Sequence, residues 1–393
     1  MFSGRLILPA LRRRRWTAAA LRQWRQAGRR GVAPVNWEKG KALPRLVWLL
    51  CLIWPLLAGC AAAGDSAGPA GTLVVLNKSE ASASLIDLAS GKEVARLPVG
   101  DGPHEAATSP DGRIVAVTNY GQKTPGDSLS VIDVAQAKVL RTIALEGYQR
   151  PHGLQFLDPR RVIVTAEAQA SVLIVDVVAG RIDKAIVTGQ RVSHMVAAAP
   201  DGGRAFVANI GSGSVSVLDL REGAAVTHIP TGQGAEGVDV SPDGREVWVS
   251  NRGADTLTVI DAHSLQPLAT LKAPGFPIRV RFDPAGARAF VTVPRDDALL
   301  VFDRRSRELE RRIGLPVAAV QTEGRLLGAM FGRSTVPIGV ATDGAGRRVY
   351  VAQANADQVA EFDVSGGTLL RTLPTGKEPD GLAWSPARSQ PRQ

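Results

Sequence analysis

Three of the five histidines in this 393-residue chain fall in one kind of tripeptide. These are Pro103-His104-Glu105, Pro151-His152-Gly153 and Ser193-His194-Met195. Four other tripeptides hold the equivalent place in further copies of an internal repeat: Ala235-Glu236-Gly237, Pro277-Ile278-Arg279, Pro337-Ile338-Gly339 and Pro379-Asp380-Gly381. Read around a closed ring, the central position runs Asp380, His104, His152, His194, Glu236, then two isoleucines. Imidazole nitrogens beside carboxylate oxygens suit zinc or another divalent transition metal. The same imidazoles could work without a metal, as binding or acid–base groups that titrate near neutral pH. Simple solvation of polar residues at a channel mouth is the third reading.

The elements that position these residues follow from the repeat. An aspartate closes a short apolar strand in each copy: Asp87, Asp133, Asp176, Asp219, Asp261, Asp303 and Asp363. The spacings are 46, 43, 43, 42, 42 and 60 residues, one unit of about 42 with a single insertion. Four strands fit that length, as in a propeller blade. Tight turns recur as Ser109-Pro110-Asp111-Gly112, Ala199-Pro200-Asp201-Gly202 and Ser241-Pro242-Asp243-Gly244, with a degraded copy at residues 283–286. Proline presets φ there and glycine accepts the left-handed conformation. The turn reverses the first strand of a blade, so that strand's start and the second strand's end share a face. The ring of His and carboxylates is therefore expected at a channel mouth, opposite the turns.

The second strands end in Val117-Thr118-Asn119, Phe206-Val207-Ala208-Asn209, Trp248-Val249-Ser250-Asn251 and Tyr350-Val351-Ala352-Gln353. At these residues the chain resembles the YVTN-repeat family of seven-bladed β-propellers, over residues 72–387. The resemblance implies an all-β fold of seven four-stranded blades. The chain enters at residues 72–76 in the phase of a second strand and leaves at residues 381–385 in that of a first. The C-terminal strand is thus expected to complete the first blade and close the ring. Propellers host unrelated activities, so fold does not decide function. Related seven-bladed propellers with lyase or lactonase activity place His and carboxylates at the mouth.

Further residues are candidates for the rim. Asn77, Asn119, Asn209 and Asn251 end second strands and read as turn caps. Next to that position Tyr120, Glu167 and Arg252 break the pattern and could touch a ligand. With Glu105 and Arg279 they could hold an anion beside a cation. The insertion, about residues 317–335, lies on the same face and reads either as a lid or as a tolerated surface loop. His228 and His263 read as structural or surface residues.

Charge and cysteine content bound the rest. The formal charge is +10, but residues 1–59 carry 12 Lys or Arg against one acid, Glu38. The remainder has 35 basic and 36 acidic side chains, so no nucleic-acid partner is expected. Lys39, Lys41 and Arg45 precede an apolar run ending in Leu57-Ala58-Gly59-Cys60. This fits an export signal and resembles a bacterial lipobox. The resemblance implies a lipid on Cys60, a flexible tether over residues 60–71, and a periplasmic protein held at the outer membrane, since residue 61 is Ala. The long basic front, with Arg12 to Arg15, reads as an early start codon or, less simply, a twin-arginine signal. Residues 388–393 read as a tail.

The two cysteines, Cys51 and Cys60, leave the mature chain without a disulfide, a thiolate zinc site or a haem-attachment motif. No nucleotide-binding or nucleophile-elbow motif is present. The sequence therefore predicts a monomeric, lipid-anchored propeller binding a small ligand, metal ion or partner protein at its mouth. A metal-assisted lyase or lactonase at the same mouth is the alternative, and a protein-interaction scaffold the third.

Overall fold

The computed structural model describes residues 70–317, 320 and 322–390. The segment read as an export signal, Cys60 and most of the segment read as a tether lie outside the described residues. Twenty-eight strands, β1 (Thr72–Asn77) to β28 (Pro379–Ser385), form seven antiparallel four-stranded sheets. These are the seven blades. Blade 1 has strand order β28-β1-β2-β3, so the last strand supplies its innermost position. The register runs from Thr72 opposite Ser385 to Asn77 opposite Pro379. The ring closes as the repeat phase predicts, and its first and last strands protect one another from edge pairing. Contacts continue past residue 387: the Ser389 hydroxyl donates to the Val134 carbonyl at 2.6 Å, and its backbone N–H to Thr72 Oγ1 at 3.0 Å.

Apolar residues alternate along the two central strands of each blade and bury both faces of the sheet. The core is accordingly divided into slabs, one between each pair of neighbouring blades. Between blades 5 and 6, Trp248 stacks edge-on against Phe282 and Phe302, with centroids 5.6 and 6.1 Å away. Each marker aspartate ends the third strand and accepts backbone N–H groups of the following turn, as Asp176 does from Val178 and Ala179. These are Asx turns. The Ser109 and Ser241 turns are held likewise, by Asp111 and Asp243, on the face away from the histidines.

The asparagines read as turn caps do something else. Asn119 Nδ2 donates to Ser128 and Ser130 on the third strand, both at 3.0 Å, while its Oδ1 accepts from the Gly100 N–H of the preceding connection. Asn77 makes the same bonds to Ser82, Ser84 and Gly376. They are buried cross-strand ties that pin one blade's entry to its own interior.

Candidate functional site at the channel mouth

Six first strands carry six residues or more; those bearing the ring are β4 (Pro103–Thr108), β8 (Pro151–Phe156), β12 (Ser193–Ala198), β16 (Ala235–Val240), β24 (Pro337–Thr342) and β28. In each of these the pairing register jumps by one residue between the first position and the fourth. A β-bulge therefore sits at His104-Glu105 and at its equivalents, and a bulge re-aims the side chains it contains. The bulge has its own fastener. Thr165 Oγ1 accepts the Gly153 N–H at 2.8 Å and donates to the His194 carbonyl at 2.6 Å, in the next blade. Ser250 and Thr292 repeat this against Ile278 and Ile338. These hydroxyls thus link His194, Ile278 and Ile338 to the preceding blade.

The blades approach so closely here that a side chain is excluded beside several ring residues. A Cβ on Gly153 would lie 2.7 Å from the His194 carbonyl oxygen, and one on Gly381 2.4 Å from that of His104. Ring residues on neighbouring blades consequently touch. His104 Nε2 and His152 Nε2 are 3.1 Å apart. The His152 ring lies 3.9 Å from His104 and 3.6 Å from His194, centroid to centroid. Asp380 Oδ2 is 3.3 Å from His104 Nδ1, and Glu236 Oε1 is 3.5 Å from His194 Nε2. All five predicted ring residues form one cluster.

The cluster is buried, which overturns the reading of a solvated mouth. His152 has no exposed surface, and the side chains of His104 and His194 are 12% and 11% exposed. Glu105 ion-pairs with Arg279, which comes across the channel from blade 6. Arg279 also lies 3.7 Å from Glu236 and 3.9 Å from Asp380. Arg252 meets Glu236 at 2.5 Å. Tyr120 donates to Glu167 Oε2 at 2.7 Å, and Glu167 Oε1 bonds His194 Nδ1. Every rim candidate is therefore connected to the ring.

One participant escapes a strand-by-strand reading of the sequence. Lys78 Nζ lies 2.8 Å from His104 Nε2 and 3.0 Å from Asp380 Oδ2. It occupies in blade 1 the place of Tyr120, Glu167 and Arg252 in theirs, just after the second strand. Extending that comparison to the incomplete first unit would have found it.

Burial and pairing set the protonation states. Burial drives the His104 imidazole below its ordinary range, outweighing the Asp380 carboxylate. Burial likewise holds His152 well below it, with His104 and His194 adding to the effect. Burial opposes the charge on His194 too, but Glu167 and Glu236 overcome it and lift its pKa to about 8. Burial pushes Glu105 up, yet Arg279 brings it below the usual carboxylate range. His104, Lys78 and Arg279 do the same for buried Asp380. At neutral pH two neutral imidazoles thus stand beside one imidazolium. Four carboxylates (Glu105, Glu167, Glu236, Asp380) balance Lys78, Arg252, Arg279 and protonated His194.

Among the described residues, His104 Nδ1, His152 Nδ1, His194 Nε2 and Asp380 Oδ1 are buried without a hydrogen-bond partner. Two sets of potential ligand atoms, His104–Glu105–His152 and His152–Glu167–His194, each lie within 4.8 Å of one another. The apolar arc is covered: Leu327 and Phe331 of the insertion pack with Ile278 and Ile338, and Phe331 stacks edge-on against Phe276 at 5.4 Å. Arg325 ties the insertion to Asp357 at 2.6 Å. A cavity of about 350 Å³ lies deeper in the channel, beneath the Glu105–Arg279 pair. Its walls include Gln155, Arg281 and Trp384 but none of the seven ring residues. The concentration of chemistry at the mouth, rather than this void, marks the candidate site.

A family model described as the cytochrome D1 heme domain matches residues 157–281, about a third of the chain. The fold is similar to hydrazine synthase of Kuenenia stuttgartiensis, with a TM-score of 0.61 and 19% identity over 78% of this chain and 98% of that one. It is also similar to a functionally unknown protein from Desulfotomaculum acetoxidans DSM 771, with a TM-score of 0.66 and 13% identity over 81% and 100%. At such identities the likeness shows a shared propeller fold. No curated protein matches the sequence.

Proposed function

We propose that this chain is an exported, lipid-anchored propeller of the YVTN-repeat type whose channel mouth binds a divalent transition-metal ion through His104, His152 and His194. One observation carries the reading: two ring histidines are backed by carboxylates on Nδ1. Glu167 bonds that of His194, while Asp380 Oδ2 lies 3.3 Å from that of His104 without completing a hydrogen bond. Metal-binding histidines characteristically have their second nitrogen held this way, which fixes the tautomer and aims Nε2 at the ion. Ligand nitrogens on one tetrahedral zinc lie roughly 3.3 Å apart, from a Zn–N bond of about 2.0–2.1 Å. The 3.1 Å between His104 Nε2 and His152 Nε2 is compatible with that. Both of these imidazoles are kept neutral by burial, as ligation requires, whereas His194, protonated at neutral pH, must release a proton to join them.

The matched family is named for a haem, and the residues here do not fit one. The three imidazoles are packed against one another at 52° and 34° and almost wholly covered, so none faces an open plane. The apolar arc is already occupied by Leu327 and Phe331. A compact ion suits this donor set better than a macrocycle.

A second reading, an enzyme at the same mouth, has its own support. Neutral His152 and protonated His194 are in contact, and adjacent groups whose environments push their pKa values apart are how enzymes assign base and acid. Zinc titration of wild-type protein and of His104→Ala and His152→Ala, followed by calorimetry, tests the metal reading. One equivalent bound by wild type and lost in both variants supports it; absence of binding by wild type removes it. Turnover of a lactone panel by the loaded protein then separates enzyme from binder.

A further inference from the structure

We propose that Lys78 determines which ions enter the mouth, because its ammonium occupies the place of the ion and must be displaced. The inference rests on the metal-binding reading above. An ammonium has three donors and no acceptor, so what it touches must offer lone pairs. Lys78 Nζ touches His104 Nε2 at 2.8 Å and Asp380 Oδ2 at 3.0 Å. Lys78 holds the lone pair on His104 Nε2, the nitrogen that would take the ion. The lysine side chain is only 18% exposed, so this is a filled internal position rather than a surface contact.

The backbone favours exchange without unfolding. Lys78 begins a 3-10 turn, Lys78–Glu80, docked on the last connection before β28. Its N–H donates to the Glu378 carbonyl at 3.1 Å, and the Ser79 N–H to that of Lys377 at 3.3 Å. The turn stays anchored while a flexible four-carbon stem can swing aside. The equivalent residues in other blades are Tyr120, Glu167, Ile210, Arg252, Pro294 and Ala354, so blade 1 alone places an ammonium there.

This arrangement selects by ligand chemistry. A cation that displaces Lys78 must gain more from imidazole nitrogen than the ammonium does. Zinc and its neighbours bind imidazole strongly, whereas magnesium and calcium prefer oxygen. Lys78 also keeps Asp380, the oxygen donor that would attract magnesium or calcium, engaged.

The test is calorimetric titration of zinc chloride and of magnesium chloride into purified wild type, Lys78→Met and Lys78→Arg. Lys78→Met is expected to bind zinc about 10- to 100-fold tighter than wild type, the range of a lost charge-assisted hydrogen bond. Wild type is expected to leave magnesium unbound. Lys78→Arg keeps a cation on Asp380, so it serves if Lys78→Met folds poorly, and it is expected to bind zinc no tighter than wild type. Wild type that binds zinc with Lys78→Met equal or weaker, or Lys78→Arg tighter, overturns the role of Lys78 and spares the site. If wild type binds no zinc, the metal reading itself fails and takes this inference with it.

Discussion

Arg279 and Glu105 ion-pair across the channel although they belong to blades 6 and 2, with blades 7 and 1 between them on the shorter way round. Arg279 is buried and the Glu105 side chain is 12% exposed, and both come from the residue following a ring position. The pair is the floor of the mouth, separating the histidine cluster from the deeper cavity.

Such a pair is costly to break and cheap to replace. Arg279→Met leaves Glu105 as a buried lone charge and is expected to destabilise the fold by about 3–5 kcal/mol. Removing both charges in Arg279→Met with Glu105→Leu should recover most of that loss. Urea unfolding of the two single variants and the double variant measures it. Additive losses would show that the two side chains do not depend on one another.

The blade junctions depend on single hydroxyls. Thr165→Val keeps the shape but strips partners from the Gly153 N–H and the His194 carbonyl. A loss of about 1–3 kcal/mol is expected, since buried groups are left unsatisfied. Denaturant unfolding reads the loss. Equal stability of Thr165→Val and wild type would mean that the bulge holds without its fastener.

How much of this the sequence made legible differs by level. The seven blades and their closure follow from the Asp87 to Asp363 spacing and the phase of the two ends. The ring of Asp380, His104, His152, His194 and Glu236 follows because its members share one place in the repeat. The bulge does not, because an extra residue opposite the second strand leaves the period unchanged. Thr118, Thr165 and Thr292 read as ordinary β-branched strand residues, although each hydroxyl has a bonding task. Burial of the mouth was illegible too, since it depends on how far Arg279, Lys78 and Phe331 reach across the ring. Lys78 was hidden because the first unit enters mid-blade.

The histidines give stability opposite pH dependences. His194 has a folded pKa of about 8, above its unfolded value, so its contribution is complete below about pH 6.5 and disappears as pH rises through about 8. That shift corresponds to about 2 kcal/mol. His104 and His152 are depressed, so theirs is present above about pH 6.5 and lost as pH falls below it. The charged neighbours are Glu167, Glu236, Asp380, Glu105, Lys78 and Arg279. Metal-free protein should therefore be most stable near pH 7. In His194→Gln the decline between pH 6.5 and 9 should flatten, as followed by thermal unfolding. An unchanged alkaline decline would mean that another group causes it.

Ring closure depends on β28. Deleting residues 379–393 removes the innermost strand of blade 1 and leaves β1 as an unpaired edge. The truncated protein is expected to lose its cooperative thermal transition and to aggregate. An unchanged melting temperature would contradict closure through this strand.

The most direct test of the account is the ligand set of the loaded protein. Cobalt(II) can report on a zinc site through its visible spectrum, and X-ray absorption counts imidazole scattering. Bound at one equivalent, the ion is expected to show nitrogen ligation by three imidazoles in wild type and by two in His152→Ala. Oxygen-only ligation, or a spectrum unchanged by His152→Ala, would contradict the assignment of the mouth as the metal site.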